Sequence, residues 1–447
     1  MCTGHDQPDV VACRRPGGVI AERMAALSED RAEADVIDRF MPTQDTHPAD
    51  IYAYYARFRD AARIARGEPS WIDADDTLVL LRFDDVYAGL RDPRVGKEWE
   101  RLLPPGESRP EPPKDSFPAV VRNFMLFRDP PNHTRLRSTA NMAFTPRRVK
   151  AMREPVERLA ARLIDDLAGS SGIVDFISQV AYPLPVLVIA GILGIPEDDF
   201  PRFRDWAAVV AAAIDLPVSG LASFVERADQ TMSDLADYFR WIVRERREHP
   251  QDDLISTLIA VETDEGRIDE DEMIATLILL LVAGHETTVN LLGNGLLALL
   301  QHPDQWQALV DEPSLSGNAT EELLRYDSPV QMTTRFAMEN MEMAGVPVRR
   351  GTEILYVLGS ANRDPRAFDT PERLDIRRNV GRIMSFGVGI HFCLGSPLAR
   401  LEGEVAFRAL AERVPGLRLA TGEPSWRAGL ILRGLQELPV EVSRATT

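Results

Sequence analysis

The chain has 447 residues, 45% of them apolar and 27% charged, with a formal net charge of −18. That composition is ordinary for a soluble globular protein and supports a large buried core. The acidity argues against nucleic-acid binding, which calls for a basic domain or stripe. Length alone, at about 150 residues per domain, predicts about three domains.

Residues 1–45 are polar, with scattered Gly, Pro and Asp, and read as an extension holding at most one short helix. The run MCTGHDQPDVVACRR lacks an apolar signal core, so a cytoplasmic location is expected. The pattern becomes regular from Ile51. In SWIDADDTLVLLRF, Ser70 to Phe83, an Asp-rich turn precedes a β-type run, which predicts a hairpin. Residues 97–127 are Pro-rich and irregular, and a loop of that length is usually functional or disordered.

Helical stretches follow at Met152–Leu167 and Phe224–Glu248. The apolar runs Val186–Ile195 and Met273–Ala283 both fall short of the ~18 residues a membrane span needs, so buried core helices are the better reading. The longest predicted helix is Asp269–Leu300, about 48 Å at 1.5 Å per residue. Asp269 with Glu272 reads as a reciprocal N-terminal cap, and Pro303 marks the other end. Such a helix crosses a whole domain, which favours one large α-rich unit over three. Strand signals return at Val346–Val348 and Glu353–Val357.

The most informative stretch is SFGVGIHFCLG, Ser385 to Gly395. It is no dinucleotide loop, because Phe392 stands where the third glycine belongs. Zinc is poorly served, since His391 and Cys393 have no second ligand pair at a useful spacing. Leu398, Leu401, Val405, Ala409 and Leu410 follow at helical spacing, so Cys393 stands at a helix start. Free N–H groups and the positive helix end favour a thiolate there. Gly387 and Gly389 let the backbone turn sharply and approach a flat partner. A buried inert cysteine is the alternative, and the commoner fate of a lone one.

The string F-G-x-G-x-H-x-C-x-G resembles the haem-ligand loop of the cytochrome P-450 superfamily, the haem-thiolate monooxygenases. Three more motifs agree, in the family's order. AGHETT, Ala283 to Thr288, places an acid and an alcohol mid-helix, where neither helps packing; back-bonding of Thr287 within its own helix is the bland alternative. EELLR, Glu321 to Arg325, resembles E-x-x-R, with PERL, Pro371 to Leu374, in place of the family's PERF. DPPNHTRLR, Asp129 to Arg137, puts His133 and Arg137 four apart on one helical face.

The resemblance, from about Ile51 to the C-terminus, implies a single mostly-α domain with small β-sheets over 46–447, shaped as a triangular prism. Haem b would lie between the long helix and the Cys393 loop. It implies Cys393 as thiolate ligand and Glu286 and Thr287 as the oxygen-activating pair. Ala283 would leave room for dioxygen, and Phe386, Gly387 and Gly395 would form the haem loop. His133, Arg137, Arg335 and His391 would bind propionates. Glu322, Arg325 and Arg373 would form a structural triad. By analogy the substrate pocket includes Phe124, Leu279, Val330, Met332 and Ile431, which suits an apolar fatty acid, terpenoid or polyketide. No flavin or nicotinamide domain and no iron–sulfur cysteine cluster follows Cys393, so the resemblance implies a separate ferredoxin and its reductase. Arg135, Arg147, Arg148, Lys150 and Arg400 are either their docking patch or scattered solvated charges. A peroxide-driven peroxygenase and a non-catalytic haem-thiolate sensor are the alternatives.

Overall fold

The apolar run around Leu277–Leu281 is the centre of a 32-residue helix, Glu270–Gln301, in the computed structural model, which describes residues 36–40, 51–67, 77–215, 224–265, 268–420, 424–427 and 429–442. Its cap is the reciprocal one: Asp269 accepts from the Glu272 N–H at 2.8 Å, and Glu272 accepts from the Asp269 N–H at 3.1 Å. His302 ends it, and Pro303 begins the next helix.

The helices that surround it are α1 (Asn132–Asn141), α2 (Pro146–Gly169), α3 (Pro183–Leu193), α4 (Phe200–Asp215) and α5 (Val225–Glu248). The long helix itself is α6, followed by α7 (Ser316–Tyr326) and α8 (Ser396–Arg413). α2 starts earlier than Met152 because Thr145 caps it, accepting from the Arg148 N–H, and Pro146 suits its first turn.

α6 packs against α3, α4, α5, α7 and α8. Its two halves serve different cores. Met273–Val282 pack with α4 and α5, and Val289–Leu299 pack with α2, α7 and α8. α6 is long and apolar enough to cross a membrane, but 83% of its apolar window is buried inside the protein. Its hydrophobicity is therefore accounted for by the two cores.

A six-stranded sheet lies beside the helices. Its strands are β1 (Val36–Phe40), β2 (Ile64–Gly67), β3 (Thr77–Leu80), β4 (Val95–Gly96), β5 (Met332–Ala337) and β6 (Glu353–Val357), in spatial order β1-β2-β3-β6-β5-β4. β1 lies within the stretch read as an extension with at most a short helix; it instead adds a parallel edge strand to β2. The expected hairpin is β2–β3, antiparallel with Gly67 opposite Thr77. Its turn, along with residues 1–35 and 41–50, lies outside the described residues. The Pro-rich loop contains only short helical turns, at Trp99–Leu102, Phe117–Val121 and Met125–Phe127.

Candidate active site

Between the two cores of α6 lies a seam, residues 283–288, that belongs to neither. Ala283 is exposed there, and Gly284 and Thr287 keep free surface, within a run, residues 273–299, that is otherwise buried. Ala283 and Thr287 are one turn apart, so their free surface lies on one face of the helix. Thr287 donates to the Ala283 carbonyl at 2.9 Å, the back-bond of a helical threonine, and its oxygen lone pairs remain free to accept. Glu286 is buried on a different side of α6.

The Cys393 loop precedes α8, which packs across α6. Gly395 is the N-cap of α8. Cys393 is tied back by its own N–H to the Phe386 carbonyl at 2.9 Å. Gly387 sits at φ +63° with open space where a Cβ would point, and Gly389 at φ +77° passes so close to the Leu90 carbonyl that a Cβ would lie 2.7 Å from it. Both therefore need glycine. The Cys393 side chain keeps free surface but is enclosed by protein, and that enclosure pushes its thiol up. The N–H groups of Gly395 and Ser396 and the charges of Arg137 and Arg400 pull it the other way without prevailing. The thiolate expected from the helix start alone therefore requires a bound metal ion, which deprotonates a coordinating thiol outright.

A cluster of cations borders the loop. His133 and His391 have ring centroids 4.3 Å apart, and the Nε2 atom of each is buried without a partner. Arg335, on β5, is buried and bonded only locally, to Thr333 and the Thr334 carbonyl; burial pushes it down to about 10. Lys97 is also buried, and desolvation with the neighbouring Arg335 charge hold it well below the ordinary lysine range. The nearby Asp129 carboxylate is occupied by the N–H groups of Lys97 and Glu98 and by Arg101. Burial lowers His133 and His391 too, aided by Arg137 and Arg335. Such a group calls for anions. Arg137 reaches the Phe392 carbonyl at 2.5 Å and so ties α1 to the cysteine loop. An open cysteine, a side-chain-free turn, orphaned imidazole nitrogens and buried cations fit a flat metal-bearing ring with two carboxylates. Lys97 carries no motif and was not legible in the sequence.

The expected triad needs one correction. Glu322 and Arg325 are fully buried and paired, Arg325 Nε donating at 2.7 Å and Nη2 at 2.8 Å. The third member is Arg378, whose Nε donates to Glu322 Oε1 at 3.1 Å. Arg373 is exposed, and only its carbonyl takes part, accepting from Arg325 and Arg378. Leu374, where the family has an aromatic, is in the core, and this turn of chain faces Arg373 outward.

Of the expected pocket residues, Val330 and Ile431 keep free surface and adjoin: Val330 bridges Leu432, and Gln331 N–H donates to the Ile431 carbonyl at 2.8 Å. Phe124, Leu279 and Met332 are packed inside core clusters. In the expected basic patch, Arg135 is bound to Glu272, Arg148 to Thr257, and Arg400 to Glu321. Arg400 also lies over the Phe386 ring and, with Tyr87, Arg91, Arg382 and Phe392, lines a cleft of about 420 Å³ beside the cysteine loop.

Glu402 of α8 is a further buried acid, one that belongs to no motif. Its Oε1 lacks a partner, and burial pushes it up to about 8, with the Thr288 hydroxyl of α6 pulling the other way without prevailing. An acid raised on folding binds more protons in the native state, so stability falls as pH rises from the ordinary carboxylate range to about 8. The slope is about 1.4 kcal/mol per pH unit. Glu402→Gln is expected to flatten the dependence of Tm on pH in that window and to stabilise the protein above it; an unchanged slope in thermal melts counts against a protonated Glu402.

Comparison with known proteins agrees with this geometry. Residues 107–413 match the cytochrome P450 family profile. The chain is 40% identical to 6-deoxyerythronolide B hydroxylase of Saccharopolyspora erythraea over 408 residues, covering 89% of this chain and 97% of that one. It is 39% identical to the polyketide biosynthesis cytochrome P450 PksS of Bacillus subtilis over 404 residues, 88% and 96% of the two chains. Among solved structures, P450BioI in complex with an acyl carrier protein ligated to hexadec-9Z-enoic acid superposes with a TM-score of 0.80 at 36% identity, covering 90% of this chain and all of that one. The chain belongs to the cytochrome P450 family of haem monooxygenases.

Proposed function

We propose that this enzyme binds haem b through Cys393 and inserts one oxygen atom of O2 into an apolar substrate of the polyketide or fatty-acyl class. The observation that carries this is the seam: Ala283, Gly284 and Thr287 keep free surface in the middle of α6, away from its ends, on the helix crossed by the helix that follows Cys393. The relatives' names, a polyketide biosynthesis cytochrome P450 and a complex with a fatty-acid-ligated acyl carrier protein, support the substrate class.

Bound haem supplies the oxygen-activating chemistry, which a thiolate ligand promotes by pushing electron density toward the iron. The chain's own groups bind and position. Arg335, Lys97, His133 and His391 would hold the two propionates of the haem. Val330 and Ile431 bound the substrate side. Thr287 Oγ1 accepts a proton donor on the open face, and Glu286 lies one residue away as the acid of the pair. Burial would raise the Glu286 carboxyl, but the adjoining His285 and Arg427 side chains hold it below the ordinary range. Electrons come from a separate ferredoxin and reductase, which dock over the cleft beside the cysteine loop, where Arg91, Arg382 and Arg400 attract an acidic partner.

Thr287→Val tests the reading. It keeps the shape and removes the hydroxyl, so haem content and substrate-induced spectral shifts are expected to persist. Product formed per reduced nicotinamide consumed is expected to fall about tenfold or more, equivalent to about 1.4 kcal/mol of lost discrimination, with hydrogen peroxide taking up the balance. An unchanged ratio would remove Thr287 from oxygen activation.

A further inference from the structure

The His285 ring is completely buried beside the acid of the pair. Its Nδ1 lies 2.9 Å from the Leu281 carbonyl oxygen. A carbonyl only accepts, so Nδ1 carries the hydrogen, and in a neutral ring Nε2 is then a bare lone pair. That lone pair faces Glu286 Oε1 at 3.5 Å. Both atoms are buried, and neither has another hydrogen-bond partner. Two buried acceptors confronting each other are costly, and one proton between them satisfies both.

The surrounding charges call for the same proton. Glu286 Oε2 is paired with Arg427, which approaches from the C-terminal chain. Asp215, at the end of α4, lies within the field of Glu286 and accepts the N–H groups of Leu430, Ile431 and Leu432. Tyr182, just ahead of α3, meets the imidazole edge-on at 5.7 Å and gives its hydroxyl to the Arg204 carbonyl, so it supplies no proton. Glu286 therefore has one oxygen met by a guanidinium and a second carboxylate in its field, and a charged imidazole at Oε1 offsets part of that negative charge.

We propose that His285 and Glu286 hold one proton between Nε2 and Oε1 at neutral pH, which makes His285 a positioning residue that keeps Glu286 supplied next to Thr287. Its use in catalysis rests on the oxygen-activating role given to Glu286 and Thr287; its existence does not. On delivery the proton passes from Nε2 to Oε1 and leaves a neutral ring with hydrogen on Nδ1. Solvent, which touches the Arg427 side chain at 34% exposure, restores it.

Nitrogen-15 labelling of the histidine rings in the full-length, haem-loaded protein reads this proton by NMR, with His285 identified by the signals lost in His285→Gln or His285→Asn. The expected result at neutral pH is a ring protonated on both nitrogens, or a neutral ring accompanied by an infrared band of a protonated carboxyl that Glu286→Gln removes. A neutral ring beside an ionised Glu286 overturns the proposal. Glu286→Gln keeps the volume and removes the charge, so in it the His285 ring is expected to be neutral whichever atom holds the proton in the parent; a ring still charged there also overturns the proposal. Thr287→Val is expected to leave the His285 signals in place. If that variant also leaves the ratio of product to reduced nicotinamide unchanged, the oxygen-activating reading fails while the shared proton stands.

Discussion

Glu322→Ala is expected to yield little folded, haem-loaded protein. The Glu322 carboxylate accepts four hydrogen bonds: two from Arg325, one from Arg378 and one from the Asp375 N–H at 3.0 Å. Arg325 is itself fully buried and donates onward to the carbonyls of Asn362 and Pro371. Alanine would leave that guanidinium charged, away from water and without a counter-ion. Removing one partner of a buried pair costs about 3–5 kcal/mol, a large part of the 5–15 kcal/mol that typically holds a protein folded. The stranded groups sit where α7 meets the chain leading into the cysteine loop, so damage there reaches the haem site. Two further variants separate a triad through Arg378 from one through Arg373. Arg378→Ala is expected to destabilise by about 1–3 kcal/mol, the loss of a charge-assisted bond to a buried carboxylate. Arg373→Ala keeps the backbone carbonyl that the structure uses and is expected to stay within about 0.5 kcal/mol of the parent. Chemical denaturation of the three variants, read with haem retention, checks the order; equal effects for Arg373→Ala and Arg378→Ala would refute the assignment.

The second large effect is on chemistry. Cys393→Ala is expected to fold, since the side chain it replaces keeps free surface and its N–H bond to Phe386 is retained. The reduced protein with carbon monoxide is expected to lose the strongly red-shifted Soret band of a thiolate complex. Turnover is expected to fall more than about a thousandfold, about 4 kcal/mol of barrier or more. Because enclosure raises the free thiol, haem binding must release its proton, so haem affinity is expected to rise with pH until the free thiol ionises. A parent protein that carries haem with only a histidine-type spectrum would show that Cys393 is not the ligand.

Much of this was legible in the chain itself, wherever the controlling interactions are local. The capping box of α6, the apolar run of that helix and the Gly-rich turn before Cys393 depend on residues a few positions apart, and the structure reproduces them. The family resemblance carried Glu322 with Arg325, because a helix holds residues three apart on one face whatever surrounds it. Long-range partners were decided only by the tertiary structure. Lys97 joins Arg335 across more than two hundred residues, Arg427 reaches Glu286 from the far end of the chain, and Arg378 displaces Arg373 because one turn of irregular backbone faces outward. No periodicity encodes such meetings; they follow from which surfaces two cores leave uncovered. The protonation of the site likewise followed burial. The helix start at Cys393 predicts a thiolate, but the folded enclosure sets a larger opposing cost, and the two are weighed only when the chain is packed.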